Sequence, residues 1–111
     1  MVPWAGNHMS MENIHNVKVL TIITEASIES SLVDDFESLG VRGFTIVDAR
    51  GKGRRGSRMG GWDSSSNIRI EIICDAEQAS TISTFIKDKY FENYAIVIYL
   101  SDSQVFRLDK F

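Results

Sequence analysis

At 111 residues, 43% of them hydrophobic, the chain has material for one small domain with a modest core, and burying further surface by self-association would help to stabilise it. A net charge of −3 argues against attraction of the whole surface to nucleic acid or to an anionic membrane. No apolar run approaches the roughly 20 residues needed to span a bilayer, and a lone cysteine, Cys74, suits a reducing, cytoplasmic setting.

Residues Met1 to Asn13 have no periodicity, offer Met9 and Met11 as alternative starts, and lack the basic start and apolar core of a signal peptide. They read as a disordered or appended leader, with the domain at residues 14–111. His8 and His15 are the only histidines. With one distant cysteine they make no metal-ligand set, so no metal is expected.

Val17 to Ile23 (VKVLTII) is β-branched and apolar, the pattern of a buried strand. Ser27 can cap the next segment, where Ile28, Leu32, Val33, Phe36 and Leu39 recur at helical spacing before Gly40 offers a left-handed stop. Gly43 to Ala49 (GFTIVDA) and Asn67 to Cys74 (NIRIEIIC) read as strands, the second alternating Ile68, Ile70 and Ile72 against Arg69 and Glu71. Asp75 with Gln78 forms a capping-box pattern, and Ala79, Ile82, Phe85, Ile86 and Tyr90 make the apolar stripe of a second helix. Tyr94 to Leu100 (YAIVIYL) supplies a fourth strand.

The order β-α-β-β-α-β predicts a ferredoxin-like α+β sandwich, with both helices on one face of an antiparallel sheet. The first and fourth strands, however, are apolar on both faces: Val19 and Ile23 oppose Leu20 and Ile22, and Val97 and Tyr99 oppose Ile96 and Ile98. A sheet with one face in water should alternate apolar and polar residues, so the second face is expected to be buried in a homo-oligomer.

Between the second and third strands runs RGKGRRGSRMGGWDSSS, a connection of about 17 residues, far longer than the usual hairpin loop. Arg50, Lys52, Arg54, Arg55 and Arg58 give +5 within nine residues that hold no acid, so the rest of the chain sums to −8. Gly51, Gly53 and Gly56 stand at G-x-G-x-x-G spacing, yet no helix follows to present its amides to a pyrophosphate, and the Walker A lysine is missing. What remains is a backbone that can approach an anion closely, beside forked arginine donors suited to phosphate oxygens. A phosphate-bearing ligand fits that chemistry. Trp62 either contacts a partner or covers the base of its own loop.

GFTIVDARGKGRRGSR, SSNIRIEII and KYFENYAIVIYLSDSQVF together resemble the PII-like signalling proteins, particularly their bicarbonate-transporter-associated and carboxysome-associated branch, over nearly all of Val17 to Phe106. The resemblance implies a homotrimer that binds adenine nucleotides in clefts between subunits, has no catalytic residues, and signals through the long loop, the family's T-loop. It makes Gly51, Lys52, Gly53, Arg54, Arg55 and Arg58 the phosphate-binding candidates, with Arg54 the least typical of them. Thr45 lies on the entering strand, and Tyr94 and Ala95 stand where a neighbouring chain closes over the nucleotide. The nitrogen-signalling members carry T-G-x-x-G-D-G-K before the fourth strand. KYFENYA replaces it here, and its missing lysine argues against tight ATP binding and leaves AMP, ADP and cyclic AMP as candidate ligands. Five cations exceed what one or two phosphates need, so bicarbonate is expected as a second anion at Lys52, Arg55 and Arg58. The implied protein partner is a membrane transporter or a carboxysome component, not nucleic acid.

Two other readings compete. A single-stranded nucleic-acid binder needs aromatic residues on its central strands, and Ile68, Ile70 and Ile72 are not aromatic. The other is an enzyme, either a weak nucleotide phosphatase or an acylphosphatase-like hydrolase, and the latter needs an arginine in the turn after the first strand, where this chain has TEAS. Glu71 reads as a solvent-facing or subunit-pairing residue rather than a catalytic base.

Overall fold

The computed structural model describes residues 13–51 and 66–108. Its elements are β1 (His15–Glu25), α1 (Glu29–Ser38), β2 (Thr45–Ala49), β3 (Asn67–Cys74), α2 (Ala76–Tyr90) and β4 (Ile96–Val105). The four strands form one antiparallel sheet in the order β2-β3-β1-β4. This is the ferredoxin-like α+β arrangement that the alternation of strand and helix signals predicts.

Side chains on successive strand residues point to opposite faces, so the register sorts the sheet into two layers. Leu20 and Ile22 of β1 and Ile68, Ile70 and Ile72 of β3 are buried with Leu32 and Phe36 of α1 and Ile82 and Ile86 of α2. These residues are the core, and fully burying each such side chain contributes about 1.5–3 kcal/mol. The three isoleucines of β3 therefore lie beneath helices, where they could not stack on bases.

Among the described residues no helix covers the opposite face. Thr45, Glu71, Thr21 and Tyr99 make one row across it, and Val47, Arg69, Ile23 and Val97 make the next. Val47, Val97 and Tyr99 are 46%, 48% and 43% exposed. Arg69 pairs with Glu71 in the middle of this apolar surface. Both side chains are about half in water, where such a pair contributes at most about 1 kcal/mol.

The helix ends follow local chemistry, with one correction. Asp75 accepts from the Gln78 backbone N–H at 2.8 Å, while the Gln78 side chain accepts from Asp75 N–H at 3.2 Å, a complete capping box. Gly40 ends the first helical region at φ +78°, a left-handed conformation that side chains with a Cβ avoid. Ser27, expected as the N-cap of α1, does not cap it. Its hydroxyl donates to Glu25 at 2.9 Å, and a 3-10 turn over Ala26–Ile28 carries the chain into the helix. Ser27 satisfies its oxygen on a neighbour two residues away and leaves the helix start to backbone geometry. Among the described residues no helix is long and apolar enough to cross a membrane.

Candidate functional site

The basic loop leaves the sheet at the end of β2 and returns at Asn67, opposite Ala49. Ala26 N–H donates to the Ser66 carbonyl at 2.7 Å, tying the returning end to the turn after β1. Of the loop's candidate residues, Gly51 is described and exposed. Lys52, Gly53, Arg54, Arg55 and Arg58, together with Trp62, lie outside the described residues.

Tyr94 and Ala95 precede β4 and occupy this same end of the sheet, since Ile96 lies opposite Thr24. The turn that carries them is well anchored. Tyr94 N–H donates to the Tyr90 carbonyl at 3.0 Å, and the fully buried Thr24 donates its hydroxyl to the Ala95 carbonyl at 2.8 Å. The Tyr90 and Tyr94 rings meet edge to face at 5.7 Å. Tyr94 itself stays 39% exposed, its ring available to a ligand or a neighbouring chain.

Tyr90 is fixed in turn from α1. Its hydroxyl donates to the Asp35 carboxylate, which also accepts from Lys89 at 2.7 Å, and Ser31 lies 2.5 Å from the Tyr90 oxygen. Asp35 is only 6% exposed, and these donors satisfy its buried oxygens. Burial, followed by the bond to Asp35, pushes the Tyr90 phenol above its ordinary 10.0, and the hydrogen bond to Asp35 raises Lys89. Both groups are held in their protonated forms. Their contribution is therefore complete below about pH 10 and is lost as pH rises through the raised folded-state values. We expect the melting temperature to fall on the alkaline side above about pH 10, and to fall less steeply in Tyr90→Phe. That variant also loses a bond to a charged acceptor at neutral pH, about 1.5–3 kcal/mol or roughly 6–12 °C in Tm. Thermal melts across pH check both effects.

The described candidate residues lie on two different edges of the sheet. Thr45 and Gly51 belong to the β2 edge, while Tyr94 and Ala95 belong to the β4 edge, with β3 and β1 between them. Three strand spacings, about 14 Å, separate the two edges. Two copies placed edge to edge can bring one chain's loop root against another's Tyr94 turn. Thr45 also sits four residues before Ala49, in the row of Glu71 on the uncovered face. A concavity of about 610 Å³ lies at the opposite end of the sheet, lined in part by Lys18, Asp75, Asp102 and Gln104. Its carboxylates oppose phosphate binding. Cys74 is buried, and that burial raises its thiol pKa and suppresses the thiolate.

One residue of interest carries no motif. Asn67 is 3% exposed, on the uncovered face at the loop's return, and neither Oδ1 nor Nδ2 has a hydrogen-bond partner. The sequence signal available was the polar alternation Asn67, Arg69, Glu71 along β3.

The fold is that of a ferredoxin-like protein in which a basic loop connects β2 and β3 at one end of the sheet. The chain matches the family of nitrogen regulatory protein P-II over residues 17–110 and belongs to that family. It is a PII-like signalling protein. Among solved structures it is similar to a PII-like signalling protein of Thermus thermophilus, with 34% identity, 87% of this chain and 96% of that chain covered, and a TM-score of 0.71. It is also similar to CPII of Thiomonas intermedia, a nitrogen regulatory PII-like protein bound to ADP, AMP and bicarbonate, at 26% identity, with 86% and 98% covered and a TM-score of 0.72. A further CPII structure, bound to ADP, AMP and acetate, matches at 27% identity, with 88% and 96% covered and a TM-score of 0.74.

Proposed function

We propose that this chain is a non-enzymatic signal-transduction protein of the bicarbonate-transporter-associated and carboxysome-associated PII-like branch. It works as a cytoplasmic homotrimer that binds ADP or AMP, with ATP or cyclic AMP as weaker candidates, in clefts between subunits. The placement of Gly51 and Tyr94 at one end of the sheet but on opposite edges carries this reading. On this reading, a site built from both is shared by two chains. Lys52, Gly53, Arg54, Arg55 and Arg58 supply the phosphate donors, with Thr45 on the entering strand and the Tyr94–Ala95 turn of the neighbour closing over the nucleotide. Bicarbonate is the co-ligand, held by Lys52, Arg55 and Arg58, and CPII, similar to this chain, binds both kinds of ligand. Ligand state sets the shape of the loop, and the loop docks on a membrane transporter or a carboxysome component to regulate inorganic-carbon uptake.

Calorimetric titration with AMP, ADP, ATP and cyclic AMP, with chloride exchanged for bicarbonate at fixed pH and ionic strength, tests the reading. Constant ionic strength matters because screening alone weakens contacts to a cationic loop. ADP or AMP should bind more tightly than ATP, and bicarbonate should tighten ADP by the same factor by which ADP tightens bicarbonate. Weakening of ADP by bicarbonate would mean that the two compete for one position. Absence of any nucleotide heat would end the sensor proposal.

A further inference from the structure

Tyr90, the last residue of α2, is tied through its hydroxyl, its ring and its backbone carbonyl. The hydroxyl donates to the buried Asp35 carboxylate of α1, beside Ser31. The carbonyl accepts from the backbone N–H groups of Asn93 at 3.2 Å and Tyr94 at 3.0 Å, closing the turn that leaves the helix. The ring meets the Tyr94 ring edge to face at 5.7 Å. Thr24 of β1 holds the next carbonyl along, that of Ala95. Tyr94 is therefore a partly exposed aromatic side chain on a turn pinned from both α2 and β1.

Stability alone does not account for Asp35. Taking a carboxylate out of water between two helices carries a desolvation cost that its hydrogen bonds have to offset, and well-packed apolar residues in such a place are often as stable or more so. What the carboxylate adds is direction. Held by Lys89 at 2.7 Å, it accepts the Tyr90 hydroxyl within a narrow range of angles and so fixes the tilt of the Tyr90 ring. Aromatic pairs favour particular relative orientations, and the Tyr94 ring takes its own from the Tyr90 ring it contacts.

We propose that Asp35 and Tyr90 are positioning residues for nucleotide binding, holding the Tyr94 ring in its binding pose so that α1, in the helical layer, tunes a site at the end of the sheet. The inference rests on the reading of the Tyr94–Ala95 turn as the part of the site that closes over the nucleotide, and it names the groups that prepare that turn. A ring that must be ordered when the ligand arrives weakens binding, and a ring oriented beforehand avoids that loss.

The test is a double-mutant cycle on the full chain, titrated with ADP at a temperature where circular dichroism shows the parent and every variant folded. Tyr90→Phe keeps the ring and removes only the hydroxyl, and it should weaken ADP binding about 2- to 12-fold. Asp35→Asn keeps a neutral acceptor for that hydroxyl and should lose less; it replaces Tyr90→Phe in the cycle if the latter does not fold. Tyr94→Leu, or Tyr94→Ala if leucine does not fit, should weaken ADP binding by itself. In that background Tyr90→Phe should cost nothing further, a coupling that a merely structural role would not produce. A Tyr90→Phe variant that melts lower but binds ADP like the parent assigns the network to stability and overturns the proposal. Equal weakening with and without the Tyr94 ring overturns it too, because the effect then does not pass through Tyr94. If the parent binds ADP and loss of the Tyr94 ring changes nothing, the turn is not part of the site and the inference falls with that assignment. A parent that binds no ADP defeats the sensor reading itself, and this inference with it.

Discussion

The Val97→Asp variant is expected to scatter light as a single chain of 12.5 kDa at micromolar concentration, where the parent, as the proposed trimer, should scatter as three. Val97 is 48% exposed in the isolated chain, in a row with Ile23, Arg69 and Val47 on the face without helices. A charge there faces water when the chain is alone and costs its fold little. Buried against neighbouring subunits, each copy would lose that water without gaining a partner, at a cost of at least about 2 kcal/mol. Three copies per trimer make this about 6 kcal/mol, or roughly ten-thousand-fold in association. Nucleotide binding should be lost as well, since the site is proposed to need the edges of two chains. A variant that keeps the parental mass, or a parent that is itself monomeric at micromolar concentration, would refute assembly through this face.

That face was legible in the sequence because β1 and β4 broke the alternation expected of a half-solvated sheet. Val19, Ile23, Val97 and Tyr99 are apolar where water-facing residues should stand, and the register places all four on the side away from the helices. Element types and order were readable for the same reason: period two in NIRIEIIC, helical spacing from Ala79 to Tyr90, and turn chemistry at Gly40 and Asp75. Strand ends were less so. β4 was expected over Tyr94–Leu100 and runs from Ile96 to Val105 instead. Ser101, Asp102, Ser103 and Gln104 have little strand propensity, but they pair with Val19, Lys18, Val17 and Asn16 of a longer β1, and pairing overrides propensity. At the other end Tyr94 and Ala95 are drawn into the turn by Tyr90 and Thr24. Asn67 lay in plain view as the first residue of β3. Its missing partners are a property of three-dimensional surroundings, which no local pattern encodes.

The cationic loop was the other legible feature, and it carries the second large expectation. Arg55→Ala and Arg58→Ala should each weaken ADP binding by roughly 10- to 150-fold, the loss of one charge-assisted hydrogen bond worth about 1.5–3 kcal/mol. The double variant should lose about 100-fold or more. Full additivity is not expected, because donors to one ligand share their work and double-mutant coupling between neighbours reaches about 0.5–3 kcal/mol. The core is built from other residues, Leu20, Ile22, Phe36, Ile70 and Ile86 among them, so ligand-free melting should barely change. The salt dependence supplies an independent readout: each arginine that contacts phosphate contributes an interaction that screening weakens, so the variants should show a shallower loss of ADP affinity between low and physiological ionic strength. An Arg55→Lys variant separates charge from geometry. Lysine keeps the charge but not the forked donor pair, so it should recover the salt dependence while regaining only part of the affinity. Unchanged ADP affinity in both alanine variants would place the phosphate elsewhere. Equal affinity in Arg55→Lys and the parent would show that charge alone, rather than bidentate contact, holds the ligand.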